Sequence, residues 1–498
     1  MNFLLRRFLS LALSLLPIAL RQALDFAALK KKAEDGDRVA QFQVGMIYDS
    51  GKEGVEETVK SGSWDLKILN SENAAMLRYA FEVLKSADIH KDSDAAILWY
   101  RKASKQDLLL AQVALGRLCG KQAGMEKDEA LAGEAYRWLM KAAVRGDPAA
   151  FNGLGVLYMN GLGVPFDLAK AKEWLQKSAD KGYVPGQANL GQWYCMGPGV
   201  AAGNIHSLDM LNKSAKLPEK QEPADYAEGY KWIRLAADQG LEDAQTNLVM
   251  FYLNGIGVEK NLEKAVFWAK KLAKSGEAFA QLNFGFMYLN GTGVKQDHTK
   301  GYEWVKKSAK QNFERAQLVL GELYERGVGV KEDAKAAAEW YLKAAKQGNA
   351  TGQFRVFINY VDGRGVEKDE AEAAKWCAKA AEKGLLNAER SMGYLLFDGT
   401  GVEKNLSESM VWFQKAAAKG DPDSQFMLGA GLFLGNGIEQ DYVEAFKWLT
   451  LASEHVVDAR NALSDLNGKI TPAQMAEGLK RVKALKQKQE QGNKAQPI

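Results

Sequence analysis

The chain has 498 residues, of which 47% are apolar and 26% are charged. Its 66 lysines and arginines nearly balance 62 aspartates and glutamates, for a formal net charge of +4, and the two signs are interleaved along the chain. A nucleic-acid-binding protein carries a basic face or tail, so this balance argues against nucleic acid as a partner.

The first 25 residues resemble an export segment. Arg6 and Arg7 precede an apolar run over 8–20, which has the length of a signal-peptide core and is too short to span a bilayer comfortably. We therefore expect residues 1–25 to be a signal peptide or N-terminal anchor, with possible membrane association through this segment. The protein is then exported (periplasmic or secreted) or membrane-anchored rather than cytoplasmic. Arg21 stands where a cleavage site prefers a small residue, so an uncleaved anchor and an ordinary first helix stay open as alternatives.

Tryptophan recurs at a fixed spacing of 36 residues through most of the chain. A fixed period between about 20 and 50 residues indicates one supersecondary unit copied along the chain, each copy burying its apolar face against its neighbours. An upstream pair has the same spacing, and 58 residues separate that pair from the main series. The upstream pair is Trp138 and Trp174, and the main series is Trp232, Trp268, Trp304, Trp340, Trp376, Trp412 and Trp448.

Each unit is predicted to be a helix, a glycine turn and a second helix. In the copy at 280–288, Ala280, Phe284 and Met287 form an apolar stripe of helical period, and Gly285 lies on that stripe. A glycine inside a helix costs about 0.5–1 kcal/mol relative to alanine, so its recurrence predicts close approach of a second helix. The turn recurs as Gly-x-Gly-Val. We favour a helix-ending role over a phosphate cradle, because the dinucleotide fingerprint needs a preceding strand and a third glycine.

These repeated residues resemble the Sel-like repeat family, a relative of the tetratricopeptide repeat. The resemblance rests on the Ala-Gln opening, the Leu-Gly-x-x-Tyr core, the Gly-x-Gly-Val turn, the tryptophan and the Lys-Ala-Ala-x-x-Gly ending. It implies an all-α fold, a right-handed α-solenoid of about ten helix-turn-helix repeats of 36 residues over 26–458. A C-terminal capping helix over 459–485 and a disordered tail over 486–498 are expected to follow. The first helices of the ten copies begin at Ala40, Ala111, Ala150, Gly186, Ala244, Ala280, Ala316, Gly352, Ala388 and Ser424.

Two insertions interrupt the period, near 50–92 and near 201–223. In a solenoid, insertions form loops on one surface, which is often the binding surface. A longer loop also costs little entropy, so a tolerated surface excursion is an equal alternative.

No residue pattern points to catalysis, a metal ion or a cofactor. The four histidines lie in different repeats or insertions, with no partner at metal-ligand spacing, and hydrolase, metalloprotease and phosphate-loop motifs are missing. Cys119, Cys195 and Cys377 are odd in number and far apart, which argues against a disulfide framework. Some exported members of the resembled family carry a cysteine pair in each repeat, with a proposed penicillin-binding or hydrolysing activity, and this chain lacks those pairs. We expect a non-enzyme, and keep an exported hydrolase or a peptidoglycan-processing, β-lactamase-like protein as the alternative.

A glutamine follows the opening residue of most repeats. A ladder of such amides would be able to grip a peptide backbone. Superposition on the tetratricopeptide pattern places the position at the packed edge between helices, so we favour hydrogen bonding between repeats. The glutamines are Gln41, Gln112, Gln187, Gln245, Gln281, Gln317, Gln353 and Gln425.

A candidate partner-binding surface follows the third, seventh and tenth residues of each first helix, which the same superposition places on the concave surface. It is apolar in several copies, and a contiguous exposed apolar patch usually marks a partner site. The alternative is that curvature of the array buries these side chains as core. In one copy Glu322 and Glu325 interrupt the surface with acids suited to a basic residue on a ligand. The candidate residues, here called the first-helix strip, are Met250, Leu253, Leu282, Phe286, Leu289, Glu322, Phe354, Ile358, Tyr394, Phe397 and Phe426.

These features together predict a non-catalytic protein–protein interaction scaffold or adaptor that binds a peptide or protein partner on its concave surface. Arrays of the resembled family commonly assemble complexes, and a secreted effector that binds a host protein is a further possibility. The repeated tryptophans are expected to be core, so Trp304→Ala in the middle of the array should cost about 3–5 kcal/mol, and Trp448→Ala at its end should cost less.

Overall fold

The computed structural model describes residues 18–60, 89–196 and 225–495, with side chains over 26–51, 89–195 and 225–487. Every regular element in these ranges is an α-helix. The helices are α1 (Ile18–Glu34), α2 (Arg38–Lys60), α3 (Ser93–Lys105), α4 (Leu109–Glu126), α5 (Glu129–Val144), α6 (Pro148–Asn160), α7 (Leu168–Asp180), α8 (Val184–Met196), α9 (Tyr226–Asp238), α10 (Glu242–Asn254), α11 (Leu262–Ser275), α12 (Ala278–Asn290), α13 (His298–Ala309), α14 (Glu314–Arg326), α15 (Ala334–Lys346), α16 (Ala350–Asp362), α17 (Glu370–Glu382), α18 (Leu386–Asp398), α19 (Leu406–Ala418), α20 (Pro422–Leu434), α21 (Tyr442–Ala452), α22 (Val457–Asn467) and α23 (Pro472–Ala495).

Helices α2 to α21 form ten consecutive pairs, each made of a first and a second helix. The chain divides into two compact units, Met1–Trp268 and Ala269–Ile498, with the boundary inside α11. Within each unit, consecutive helices pack on each other along the chain. The expected all-α solenoid of helix-turn-helix repeats is therefore confirmed.

A repeated aspartate or asparagine begins the second helices. Asp297, for example, accepts a hydrogen bond from the amide of Lys300 at 2.9 Å, which satisfies one of the free N–H groups at the start of α13. Replacing such a cap by alanine typically costs about 1 kcal/mol. The caps recur every 36 residues, at Asp225, Asn261, Asp297, Asp333, Asp369, Asn405 and Asp441.

The mid-helix glycines lie where the second helix of the same pair crosses the first, as predicted. A Cβ added to Gly285 would lie 2.9 Å from Cγ2 of Val305, and one added to Gly393 would lie 2.6 Å from the ring of Phe413. Close-packed interiors leave no room for such an addition, so a larger residue requires the two helices to separate.

The second glycine of each turn packs on the preceding repeat. The first glycine, such as Gly327, ends its helix with a left-handed φ of 64°. Gly329 also has a positive φ, 73°, and a Cβ there would overlap the carbonyl oxygen of His298, the first residue of α13. This contact supports the structural interpretation of the turn over a phosphate cradle. It recurs 31 residues apart between Gly257 and Tyr226, Gly365 and Ala334, Gly401 and Glu370, and Gly437 and Leu406.

A lysine three residues later covers most of the repeated tryptophans. Nζ of Lys343 lies 3.7 Å from the centre of the Trp340 ring. Such a cation over an aromatic face contributes about 0.5–1 kcal/mol at exposed sites. The other pairs are Trp99 with Lys102, Trp138 with Lys141, Trp174 with Lys177, Trp304 with Lys307, Trp376 with Lys379, and Trp412 with Lys415.

Helices α22 and α23 follow the last pair and pack on α21. They place Leu466 and Val482 in the same core cluster as Trp448, which is 6% exposed. Trp304, inside the array, is only half-buried. Trp448 is therefore the more buried of the two, although the sequence predicted that its replacement would cost less stability than that of Trp304.

The C-terminal segment differs from the single capping helix expected over 459–485. The structure has two helices there, separated by a short turn at Gly468. The second helix continues through the expected tail to Ala495.

Helix α1 covers the N-terminal end of the first unit. Leu29 and Ala33 are buried, and the Phe26 ring meets the Tyr48 ring edge to face at 6.1 Å. No helix in the described part of the chain is both long enough and apolar enough to cross a membrane.

Parts of the predicted export segment and of both insertions lie outside the described residues. Residues 1–17 of the export segment are outside, and the helix begins at Ile18. The insertion near 50–92 is described only at its two ends, and the insertion at 201–223 lies wholly outside.

Candidate partner-binding surface

The first-helix strip lies on first helices, as expected, and its members differ in exposure. Met250 and Leu253 belong to α10 in the first unit, and the other nine residues belong to the second unit. Leu282 is 1% exposed and packs in a core cluster with Val305, so it offers no surface to a partner. The other ten residues are half-buried.

The aromatic members of the strip have one side in the core. Tyr394 meets Phe413, a fully buried residue of the second helix, at a ring-centre distance of 5.0 Å. Phe354 meets Phe357 at 5.4 Å. Because these rings are half-buried, part of each remains in contact with solvent.

A charged cluster interrupts the strip at the acids of α14. Arg355, on the next first helix, lies 3.6 Å from Glu322 and 3.7 Å from Glu325. The hydroxyl of Tyr341 donates to Glu325 at 2.7 Å, and burial together with this carboxylate raises the pKa of the Tyr341 hydroxyl. The two acids thus already share an arginine of the chain itself. A ligand cation would have to compete with Arg355 for them.

A second charged cluster lies on α18 around Arg390, at the position where the neighbouring repeats carry Phe354 and Phe426. Arg390 pairs with Asp421 at 3.0 Å and with Asp423 at 3.5 Å. Asp421 is 5% exposed and caps α20 by accepting from the amide of Ser424. This arginine is therefore committed to the joint between two repeats.

The glutamine ladder is part of the packing between repeats. Nε2 of Gln281 donates to the carbonyl of Ala273, in the preceding second helix, at 3.3 Å, and its Oε1 accepts from Gln311 at 2.9 Å. All eight glutamines are buried, so the preferred interpretation is confirmed and these amides are not available to a peptide. Seven of them donate to the carbonyl eight residues earlier, namely Gln41, Gln112, Gln245, Gln281, Gln317, Gln353 and Gln425.

The nucleophilic and metal-ligating side chains do not form a reactive site in the described residues. Cys119, Cys195 and Cys377 are buried and unpaired in disulfides, and burial raises the pKa of each thiol to about 12. No three histidine, cysteine, aspartate or glutamate side chains in the described ranges are grouped so as to hold a metal ion.

The Sel1 repeat model matches twelve segments, which together cover most of the chain from residue 38 to 455. The chain belongs to the Sel1 repeat family. The twelve segments correspond to the ten helix pairs, because the pair α2 with α3 and the pair α8 with α9 are each matched as two pieces around an insertion. The matched segments are 38–58, 73–108, 109–147, 148–183, 184–218, 220–241, 242–277, 278–313, 314–349, 350–385, 386–421 and 422–455.

Several solved structures are similar to this chain. A Sel1 repeat protein from Oxalobacter formigenes is 29% identical over 66% of this chain and 90% of its own, with a TM-score of 0.52. The c5321 protein of uropathogenic Escherichia coli, a protective antigen displaying an SLR fold, is 27% identical over 95% of this chain and 96% of its own, with a TM-score of 0.45. Cysteine rich protein B of Helicobacter pylori is 29% identical over 26% of this chain and 92% of its own, with a TM-score of 0.22.

A comparison with curated proteins found no match. Sel1 repeat proteins are typically protein–protein interaction scaffolds, and the fold is generally non-catalytic. The family membership therefore supports a protein partner, without specifying one.

Proposed function

We propose that this Sel1 repeat protein is a non-catalytic scaffold or adaptor that holds a peptide or protein partner on the first-helix strip of its second unit. The observation that carries the proposal is the half-burial of Phe286, Phe354, Tyr394 and Phe426. Each ring is fixed on one side by the core and keeps apolar surface in contact with solvent. Such a strip suits an amphipathic helix or an extended segment with regularly spaced apolar anchors.

The charged clusters indicate which kind of partner side chain the strip can bind. Because Glu322 and Glu325 already face Arg355, and Arg390 already faces Asp421, the strip has few uncommitted charges. Apolar anchors therefore supply most of the binding free energy, with the charges contributing orientation. The alternative of an exported hydrolase has no arrangement of described side chains in its favour.

The test begins with a displayed peptide library selected on the full-length protein. Interface energy concentrates in a few anchors, so Phe286→Ala or Phe354→Ala should weaken the selected peptides by about 30-fold, roughly 2 kcal/mol. The urea unfolding midpoint should change little, because both rings are only half-buried in the folded state.

Phe284 supplies the matched control, two residues before Phe286 on the same helix and 1% exposed. Phe284→Ala should lower the free energy of unfolding by about 3–5 kcal/mol. If Phe286→Ala destabilises the protein as much as this control does, or leaves peptide affinity unchanged, the strip is core and not a docking surface.

We propose separately that the N-terminal segment directs export. Phe26, Leu29 and Ala33, which pack on the first pair, all lie after Asp25, so removal of residues 1–25 would leave these contacts in place. A reporter enzyme fused after Asp25 should leave the cytoplasm, and Arg6→Glu with Arg7→Glu should retain it there. A fusion that stays wholly cytoplasmic with the native segment would refute the export proposal.

A further inference from the structure

A basic cleft of about 350 Å³ opens between α3 and α5, the second helices of the first two repeats. It lies in the first unit, whereas the proposed partner strip lies in the second. Four cations, one carboxylate and one tryptophan line it, namely Arg101, Lys105, Glu134, Arg137, Trp138 and Lys141.

Two of the four cations pair with acids, and the other two make no ion pair among the described residues. Arg101 holds Glu134 by two hydrogen bonds, of 2.8 and 2.7 Å. Lys141 lies 3.0 Å from Asp107, an acid outside the lining. Lys105 and Arg137 have no carboxylate within ion-pair distance in the part of the chain that the structure describes, and both are exposed. The lining therefore carries an excess of positive charge.

The same positions of a later repeat show that this charge is not required by the fold. Aligning the second helices on their tryptophans places Trp412 at the position of Trp138, and the covering lysine is kept in both. The lining of the α17–α19 junction has one positive side chain and two negative ones, in contrast to four and one in the basic cleft. Its residues are Ala378, Glu382, Glu408, Val411, Trp412 and Lys415.

The cleft already holds one carboxylate of the protein itself. Glu134 receives both Arg101 hydrogen bonds and a third from Nε1 of Trp138 at 3.3 Å. These bonds from Arg101, together with the nearby charge of Arg137, lower the pKa of Glu134. A second carboxylate would find Lys105 and Arg137 beside this one, with the Trp138 ring as an apolar contact.

We propose that the cleft binds a short acidic segment of a protein partner, with carboxylates on Lys105 and Arg137 and an apolar side chain against Trp138. A volume of about 350 Å³ holds a few side chains rather than a helix or a duplex. The site is independent of the first-helix strip, so the two are testable separately.

The probe is a fluorescein-labelled peptide of glutamates with two interspersed leucines, titrated with the full-length protein in fluorescence anisotropy. Lys105→Glu with Arg137→Glu should weaken binding at least about tenfold, because two attractive charges become repulsive. Affinity should also fall as salt rises from about 50 to about 200 mM. The matched control is Lys346→Glu with Lys375→Glu, which makes the same charge change at the same two positions of the α15–α17 junction.

The control protein should bind the peptide within about twofold of the parent, since its changes lie away from the cleft. Equal loss in both double variants would show that the peptide does not distinguish Lys105 and Arg137 from cations at the same positions of another junction, and would overturn the proposal. So would unchanged binding after the Lys105 and Arg137 changes. A preference of about tenfold or more for the same peptide with phosphoserine at its centre would overturn the carboxylate assignment in favour of a phosphorylated ligand.

Discussion

Nζ of Lys419 donates to Oε1 of Glu389 at 2.7 Å, at the two positions where an earlier repeat pairs the amides of Gln347 and Gln317. Glu389 is 3% exposed, and its other carboxylate oxygen is buried without a hydrogen-bond partner. One repeat therefore has an ion pair at the positions where the earlier repeat has a hydrogen bond between two neutral amides. A buried acid of this kind depends on its cation, because the acid loses its hydration on folding.

Lys419→Met should destabilise the protein more than the double change Glu389→Gln with Lys419→Gln. The single change leaves a buried carboxylate unpaired and should cost about 2 kcal/mol, below the usual range for buried pairs because Lys419 is partly exposed. The double change restores the amide pair of the earlier repeat and should stay within about 1 kcal/mol of the parent. Urea unfolding of the three proteins measures the order. A double variant less stable than Lys419→Met would contradict the prediction.

Gly329→Ala should cost several kcal/mol more than Gly276→Ala. Both glycines have positive φ, 73° and 101°, so alanine carries the left-handed penalty of about 1–2 kcal/mol at each. Only Gly329 packs against the preceding repeat, whereas a Cβ on Gly276 would meet nothing within 4 Å. The difference in unfolding free energy therefore isolates the contact with His298. Equal losses would mean that Gly329 does not pack against the start of α13.

Trp448→Ala should cost about 3–5 kcal/mol, the range for deleting a buried large aromatic, and Trp304→Ala should cost less. The two side chains differ in burial. Trp448 is 6% exposed beneath the C-terminal helices, whereas Trp304 is half-buried under Lys307. Thermal or urea unfolding of both variants compares them. The reverse order would show that position within the array outweighs local burial.

The three thiols should be unreactive in the folded protein. Burial raises the pKa of Cys119, Cys195 and Cys377 to about 12, so at pH 8 only about one thiol in ten thousand is the thiolate that attacks a disulfide reagent. A raised thiol pKa favours the folded state below the ordinary cysteine value near 9, and this contribution is lost as pH rises toward 12. Titration with a chromogenic disulfide should detect no rapid thiol at pH 8 and three after denaturation. A fast native thiol would place one cysteine at the surface.

The helices and their close contacts were predictable, because each is marked by a residue that would otherwise be unfavourable at its position. Gly285 predicted a helix crossing, since a helix interior otherwise disfavours glycine, and Val305 lies there. The buried glutamines were predictable from the packed edge of the repeat. The helix caps at Asp297 and its counterparts are equally visible in the sequence, as a 36-residue series of aspartate and asparagine.

Exposure along the strip was not predictable from helical period alone. Leu282 and Phe286 lie four residues apart on one helix face, yet Leu282 is covered by the following second helix and Phe286 is half-buried. The pairing of Glu322 with Arg355 depends on how two first helices are set side by side, 33 positions apart in sequence. The basic cleft had a usable signal: alignment of second helices on Trp99 and Trp138 brings Lys105 and Arg137 together.

The contacts between repeats have a direction. Gln317 donates backward to Ala309, and Gly329 packs backward on His298, so each pair is completed by a part of the chain that was synthesised before it. Because the N-terminal pairs are synthesised first, each new pair leaves the ribosome after the pair that it packs on. Removing N-terminal pairs would leave the next glutamine without its carbonyl acceptor and the next turn glycine without the helix it packs on. Removing C-terminal pairs would keep these backward contacts, but would also remove α22 and α23, which complete the core around Trp448.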